Sequence, residues 1–269
     1  MIRRPFTAGL AALVLCLTLA APAHAGPLED GLAAYGRGDY AAALGFISPL
    51  ANAGNPSAQA MLGLMYVLGR GVKQDPAAAL TWYRKAADQG LPSAQSDLGS
   101  MYDQGFGIKQ DYAAALMWYR KAADQGFAGA EYNLGLMYAN GKGVPKDFRA
   151  AATWFRKAAD HGDATAKFSL GLIYANGEGV PQDFTAAVTW YREAAADGHA
   201  DAQYNLGVMY ASGKGVPQDY VLAHMWFDLA LTGGSQEALQ DREAVERRMT
   251  PAQIAEARKL AREWKPRSN

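Results

Sequence analysis

The sequence predicts an all-α chain of stacked helix hairpins. Three observations support this: a fixed repeat, two helical patterns within each copy, and turn residues between them. A segment of 36 residues occurs five times without a gap, and tryptophan, leucine, glycine and aspartate keep their places in every copy. Self-similarity with a period of roughly 20–50 residues is typical of arrays in which each unit packs only against its neighbours. The repeated tryptophans are Trp82, Trp118, Trp154, Trp190 and Trp226.

The first half of each copy is a predicted helix. In the first full copy, apolar residues recur at the spacing of one helix face, at Ala58, Leu62, Met65 and Tyr66. Ser57 precedes this run and is the predicted N-cap. Gly69 follows it and is expected to end the helix, because a C-terminal residue with positive φ favours glycine.

The second half of each copy is a second predicted helix. Asp75 is its expected N-cap, and Pro76 occupies the first helical position, where a missing N–H costs nothing. Trp82 and Tyr83 belong to its apolar face, and Gly90 ends it. We expect each tryptophan to fill the seam between hairpins, because a buried indole covers roughly 150–250 Å² and a lone hairpin cannot enclose it.

The full motif resembles a known repeat. Each copy follows Ala-x-x-x-Leu-Gly-x-Met-Tyr, then Gly-x-Gly-Val-x-x-Asp, then Ala-x-x-Trp-Tyr-Arg-Lys-Ala-Ala-x-x-Gly, with small departures such as Ile108 and Phe155. These spacings are similar to those of Sel1-like repeats, which are relatives of the tetratricopeptide repeat. The resemblance implies a right-handed α/α solenoid, a superhelix of such hairpins with a helical C-terminal cap.

The expected organisation has a modified copy at each end of the array. Fourteen helices are predicted, ten of them in the five full copies. His224 replaces the apolar residue of other copies, and Arg242 stands where leucine would fall. The predicted segments are a signal peptide (1–25), a degenerate repeat (26–57), repeats at 58–93, 94–129, 130–165, 166–201 and 202–234, and capping helices (235–265).

The first 25 residues have the pattern of a secretory signal peptide. Arg3 and Arg4 precede an apolar stretch (8–21), and Ala23-His24-Ala25 forms an A-x-A cleavage site. We therefore expect a periplasmic or secreted protein without stable membrane insertion after cleavage. A retained membrane anchor, a lipoprotein modified at Cys16 and twin-arginine export through the paired arginines are the alternatives.

Neither catalytic chemistry nor nucleic-acid binding is predicted. Cys16 is the only cysteine and lies in the signal peptide, and no metalloprotease, serine-hydrolase or phosphate-binding motif occurs. We predict no catalytic, cofactor-binding or metal residues. The 26 basic and 26 acidic residues give a formal net charge of zero, whereas a nucleic-acid surface needs a basic stripe.

The resemblance implies a non-enzymatic scaffold or regulator that holds a protein or peptide partner in its concave groove. Positions that vary between copies are free of the scaffold pattern, and in related repeats the first helices present such polar groups to a bound peptide. The alternatives are a β-lactamase-like or penicillin-binding activity, as in some cysteine-rich relatives, and cell-wall glycan binding. The predicted partner-binding residues are Asp97, Asn133, Asn140, Ser169, Asn176 and Asn205, with Tyr132, Phe168 and Tyr204 as adjoining aromatic contacts.

Overall fold

The computed structural model describes residues 26–267, so the predicted signal peptide lies outside the described residues. Residues 26–267 form fourteen α-helices and no strand, which confirms the predicted all-α class and helix number. The chain divides into two compact units, Met1–Pro145 and Lys146–Asn269.

The first unit is a run of helices in which each packs against the next along the chain. The neighbouring first helices of two successive copies, α5 and α7, also touch. The helices are α1 (Pro27–Gly36), α2 (Tyr40–Asn52), α3 (Pro56–Leu68), α4 (Pro76–Asp88), α5 (Pro92–Gln104), α6 (Tyr112–Ala123) and α7 (Ala128–Asn140).

The second unit continues the same alternation and ends in two capping helices. Helices α8 to α13 pack in chain order, and α14 packs against α12. The helices are α8 (Phe148–Asp160), α9 (Ala164–Asn176), α10 (Phe184–Ala196), α11 (Ala200–Ser212), α12 (Tyr220–Thr232), α13 (Ala238–Glu246) and α14 (Pro251–Glu263).

The predicted helix ends are largely confirmed. The Asp75 carboxylate accepts hydrogen bonds from the backbone N–H groups of Ala77 and Ala78 at 3.0 Å, and Gly69 ends α3 with φ of 65°. The predicted Ser57 cap is wrong, because Asn55 accepts the N–H of Ala58 at 2.9 Å and α3 begins two residues earlier than expected. Pro56 occupies the first helical turn, where a missing donor is tolerated.

The ring that fills the seam of each hairpin is not the tryptophan but the residue after it. Tyr119 is 2% exposed and lies against Gly99 of the preceding helix, so that a Cβ at Gly99 would be 2.8 Å from the ring. The seam between hairpins, where we expect the tryptophan, is a different contact, and Trp118 packs in one core cluster with residues of the preceding helices. Of the five repeated tryptophans, Trp118 is buried and the other four are half-buried. The same glycine–ring pairing joins Gly63 to Tyr83, Gly171 to Tyr191 and Gly207 to Phe227.

Successive copies are also linked by arginine and tyrosine side chains. The arginine after the aromatic pair donates a hydrogen bond to a tyrosine hydroxyl on the first helix of the next copy, at 3.1 Å for both Arg120–Tyr138 and Arg156–Tyr174. Arg84 and Tyr102 form the same bond in the first unit, and Arg192 and Tyr210 form it in the second. These arginines therefore join neighbouring hairpins.

The glycine–ring seam predicts opposite effects for two Gly→Ala substitutions in the first unit. Gly99→Ala should lower the free energy of unfolding by about 1–3 kcal/mol, because the new methyl group would overlap the buried Tyr119 ring. Gly45→Ala should raise it by up to about 1 kcal/mol, because α2 has open space there and alanine is the better helix former. Urea denaturation followed by circular dichroism measures both. Equal effects of the two variants would contradict the proposed seam.

Candidate functional site

Four of the predicted partner-binding residues lie in the first unit, and their exposure differs. Asp97 and Asn133 are half-buried, and Asn140 is exposed, with its amide donating to the backbone carbonyl of Leu136 at 2.8 Å. Tyr132 is 0% exposed. A partner can therefore reach Asp97, Asn133 and Asn140 from solvent, whereas Tyr132 belongs to the interior.

The polar candidates of the second unit are also unequal. Ser169 is 1% exposed, and its hydroxyl donates to the carbonyl of Thr165 at 2.8 Å. Asn176 is exposed. Asn205 is half-buried and shares a hydrogen bond with the Tyr191 hydroxyl, while burial raises the pKa of that tyrosine to about 12. Ser169 is therefore an interior residue, and Asn205 already has a partner within the fold.

The two aromatic candidates of the second unit pack against neighbouring side chains. The Phe168 ring stacks on His199 with a centroid separation of 4.7 Å and a tilt of 22°. The Tyr204 hydroxyl donates to the Asp241 carboxylate at 2.9 Å. Both side chains are half-buried, and their role in partner binding remains a prediction.

The variable polar position on the first helix is related to the seam ring of the preceding copy. Tyr191 and Asn205 are 14 residues apart and hydrogen-bonded. The Asp97 carboxylate acts on Tyr83, at the same separation, and adds to the effect of burial in raising the pKa of its hydroxyl. The sequence contains this pattern. An acidic or amide residue lies 14 residues after the seam tyrosine in three copies, whereas serine lies 14 residues after Phe155. Sequence reasoning missed this link.

Asp97 differs from the other members of this series. Its carboxylate makes no hydrogen bond or ion pair with any other residue of the part of the chain that the structure describes. Burial raises the pKa of the Asp97 carboxyl from 3.8 to about 7. The nearby Tyr83 hydroxyl is buried and has no hydrogen-bond partner. Strongly shifted pKa values without a structural partner are typical of functional sites, so Asp97 is the strongest candidate in the first unit.

Within residues 26–267, no group of three or more histidine, cysteine, aspartate or glutamate side chains is placed to hold a metal ion. None of the helices in that range has the length and apolar character needed to cross a membrane.

The repeated hairpins and their glycine–ring seams define an α/α solenoid repeat protein. The family model described as Sel1 repeat matches five consecutive segments: residues 56–91, 92–127, 128–163, 164–199 and 200–235. The chain therefore belongs to the Sel1 repeat family. These segments begin two residues before the boundaries predicted from the sequence.

Several solved structures are similar to this chain. A Sel1 repeat protein from Oxalobacter formigenes is 37% identical with a TM-score of 0.77, over 88% of this chain and 99% of that chain. Protein c5321, a protective antigen of uropathogenic Escherichia coli, is 30% identical with a TM-score of 0.38, over 88% and 67%. Immunity protein Pa5087 from Pseudomonas aeruginosa is 23% identical with a TM-score of 0.53, over 87% and 82%, and shows the fold alone. No curated protein matches the chain.

Membership in this family carries a general functional statement. Sel1 repeat proteins are generally protein-interaction scaffolds and are typically not enzymes.

The raised pKa of Asp97 predicts a pH-dependent effect of Asp97→Asn. The folded chain binds the proton more tightly than the unfolded chain, so wild-type stability should fall as pH rises from about 4 through 7. Each unit of pKa shift corresponds to about 1.4 kcal/mol. Asp97→Asn should therefore raise the melting temperature by roughly 5 °C at about pH 8 and change it little at about pH 4. Differential scanning calorimetry at both pH values measures this.

The matched control is Asp88→Asn, which removes an equal charge from the exposed end of α4. It should leave the melting temperature unchanged at both pH values. A gain at about pH 8 that Asp88→Asn shares would mean that net charge, and not burial of Asp97, sets the effect.

Proposed function

We propose that this protein is an exported, non-enzymatic scaffold that binds a protein or peptide partner on the first-helix face of residues 56–145. Asp97 is the central contact of this face, and Asn133 and Asn140 flank it. The observation that carries the proposal is the Asp97 carboxylate, which is desolvated and unpaired within the described chain. The proposal is a more specific form of the scaffold role that is general in this family.

The chemistry of Asp97 indicates what the partner supplies. A half-buried carboxylate without a hydrogen bond or a cation costs stability at neutral pH, and a partner that supplies both would remove this cost. A lysine or arginine of a bound partner would provide the missing charge and hydrogen bonds. The equivalent positions hold uncharged residues in the other copies, such as Asn133 and Asn205. The charge is therefore specific to one copy.

The geometry of the first unit supports a continuous contact surface. Helices α5 and α7 touch, and Asp97 and Asn133 occupy equivalent positions on them. Equivalent residues of adjacent copies lie on the same side of a repeat array. An extended segment laid across α5 and α7 could thus contact the carboxylate and the amide together.

Glycan binding on the repeated tryptophans is less favoured. Lysine ammonium groups lie over three of these rings, at 4.0 Å from the ring centroid for Lys85 on Trp82, 4.2 Å for Lys121 on Trp118 and 4.3 Å for Lys157 on Trp154. A sugar that stacked on one of these faces would have to displace a cation–π contact first.

Export to the periplasm or beyond is the second part of the proposal. Its support is the sequence of residues 1–25, with the basic pair Arg3-Arg4, the apolar stretch and the small-residue site before Gly26. A location in the cell envelope restricts the expected partners to other exported or envelope proteins.

Partner binding is tested with the Asp97→Asn and Asp88→Asn variants. Crosslinking in the native cell envelope, followed by mass spectrometry, identifies the partner, and the Kd of the purified pair is then measured by titration calorimetry. Asp97→Asn should weaken binding by about tenfold or more, because it removes a charged hydrogen-bond acceptor without changing the shape of the side chain. Asp88→Asn should bind like wild type. Equal affinities for all three proteins would reject the first-helix face.

Export is tested by the N terminus of the protein recovered from its own cells. Cleavage after Ala25 should leave a chain that begins at Gly26, which intact-mass spectrometry of the periplasmic and secreted fractions detects. Replacing both Arg3 and Arg4 with alanine should lower the processed fraction. Recovery of the uncleaved chain in the cytoplasm would overturn this part of the proposal.

A further inference from the structure

The last full copy of the repeat departs from the others at positions that come together beside the C-terminal helices. His224 occurs where the other copies have apolar residues, and Asp228 where they have arginine. Arg242 occurs on α13 at the place of a repeated leucine. The residues replaced in the other copies are Leu80, Leu116, Ala152 and Val188 for His224, and Arg84, Arg120, Arg156 and Arg192 for Asp228.

These residues form a charge cluster around the buried His224. His224 is 0% exposed, with Nε2 2.7 Å from Oε1 of Glu246 and Nδ1 3.3 Å from Oδ2 of Asp228. Asp228 also accepts a hydrogen bond from Arg242 at 2.9 Å, and Glu246 accepts one from Arg258 at 3.0 Å. The cluster connects α12 with both capping helices. This structural role explains the presence of its two carboxylates.

Cationic groups outnumber carboxylates in this cluster. Burial lowers the pKa of His224, but hydrogen bonds to Asp228 and Glu246 outweigh burial and raise it overall. The Nε atom of Arg242 is buried and has no hydrogen-bond partner. Arg262, on the same side of α14 as Arg258, makes no ion pair or hydrogen bond within the described residues. The fold therefore pairs both acids, leaves the buried Nε of Arg242 without a hydrogen-bond partner and leaves the exposed Arg262 without an ion pair.

Arg242 and Arg262 both line a groove between α12 and α14. Its volume is about 590 Å³, which lies within the usual range for ligand sites. Arg242, Arg258 and Arg262 line it together with a single acid, Asp228. Apolar side chains, including Leu229, Ala261 and Trp264, form the rest of the lining.

One wall of the groove is fixed by contacts with earlier helices. The Trp264 ring meets Trp226 edge-on at a centroid separation of 6.0 Å and 71°. The backbone N–H of Arg267 donates to the carbonyl of Ala196 at 2.7 Å, and its guanidinium pairs with Glu193 at 2.8 Å. Residues 264–267 are therefore anchored on α10, and a preformed wall lowers the entropic cost of binding.

We propose that this groove binds an acidic peptide segment of a partner protein, in which a glutamate or aspartate stands beside an apolar residue. The planar guanidinium of Arg262 matches a carboxylate through paired hydrogen bonds, and the excess positive charge of the lining favours an anion. The neighbouring apolar side chain packs against Leu229, Ala261 and Trp264. A compact anion such as phosphate would leave this apolar half unused.

The groove is independent of the first-helix face. Asp97 requires a cationic contact, whereas the groove requires an anionic one, so a single kind of peptide cannot satisfy both. Each surface can be tested with the other left intact.

The test uses the purified chain without its first 25 residues and a short labelled peptide of alternating glutamate and leucine, amidated at its C terminus. Fluorescence polarisation gives its Kd, and the same peptide with glutamine for glutamate is the matched ligand. Binding of the glutamate peptide should be about tenfold tighter or more, because each carboxylate forms charge-assisted hydrogen bonds. Equal binding of both peptides would overturn the proposal.

The protein variants locate the binding. Arg262→Gln should weaken binding of the glutamate peptide by about tenfold. Arg262→Lys should retain part of the affinity, because lysine keeps the positive charge but cannot form the paired hydrogen bonds of a guanidinium. Arg247→Gln, an exposed change at the C-cap of α13 outside the groove, and Asp97→Asn should both bind like wild type. Circular dichroism checks that Arg262→Gln folds, as its exposure leads us to expect.

Three outcomes would reject an acidic peptide as the occupant. Full affinity in Arg262→Gln would place the peptide elsewhere on the chain. Complete displacement of the peptide by millimolar inorganic phosphate would indicate a general anion site. Self-association that Arg262→Gln abolishes, measured by sedimentation, would assign the groove to a second copy of the chain.

Discussion

The contact between a first-helix glycine and the buried ring of the second helix controls the rest of this structure. At Gly99 the helix surface has no side chain, and the Tyr119 ring occupies the space that a Cβ would need, which sets the separation of the two helices. The adjacent Trp118 is buried as well, and the Lys121 ammonium lies 4.2 Å from its ring centroid. The Tyr119 hydroxyl bonds to Ser100 on the same first helix, whereas the Tyr191 hydroxyl bonds to Asn205 on the first helix of the next copy. The identity of a variable polar residue is therefore partly a consequence of packing.

Local patterns in the sequence were sufficient for the fold and insufficient for the seam. Helix ends depend on residues a few positions apart, so Asp75 and Gly69 could be assigned from spacing alone. Trp82 and Tyr83 are adjacent on one helix, and both fall on its apolar side. Which of them enters the seam depends on the position of Gly63 on a different helix. Periodicity holds no information about that pairing.

The sequence draws attention to the candidate site but does not separate its members. Variation between copies points to the series that contains Asp97 and Asn205. Variation alone, however, does not mean freedom from the scaffold, since Asn205 is engaged by the hydroxyl of Tyr191. What distinguishes Asp97 from Asn205 is a missing interaction, because the Asp97 carboxylate is desolvated and has no partner. Such an absence becomes visible only when neighbouring copies are stacked.

Both proposed surfaces follow from the same reasoning about a repeat protein. Where every copy agrees, the residue serves the shared fold, and its loss should cost stability. Where one copy departs and its new group is satisfied locally, as with His224 between two carboxylates, the departure can be explained by packing of the cap. Where the charged group has no ion pair, as with Asp97 or Arg262, its own unit supplies no opposite charge. The zero net charge of the chain conceals this local contrast, since an unpaired acid and an unpaired base cancel in the sum. A partner that carries the opposite charge at each place is the simplest source of that compensation.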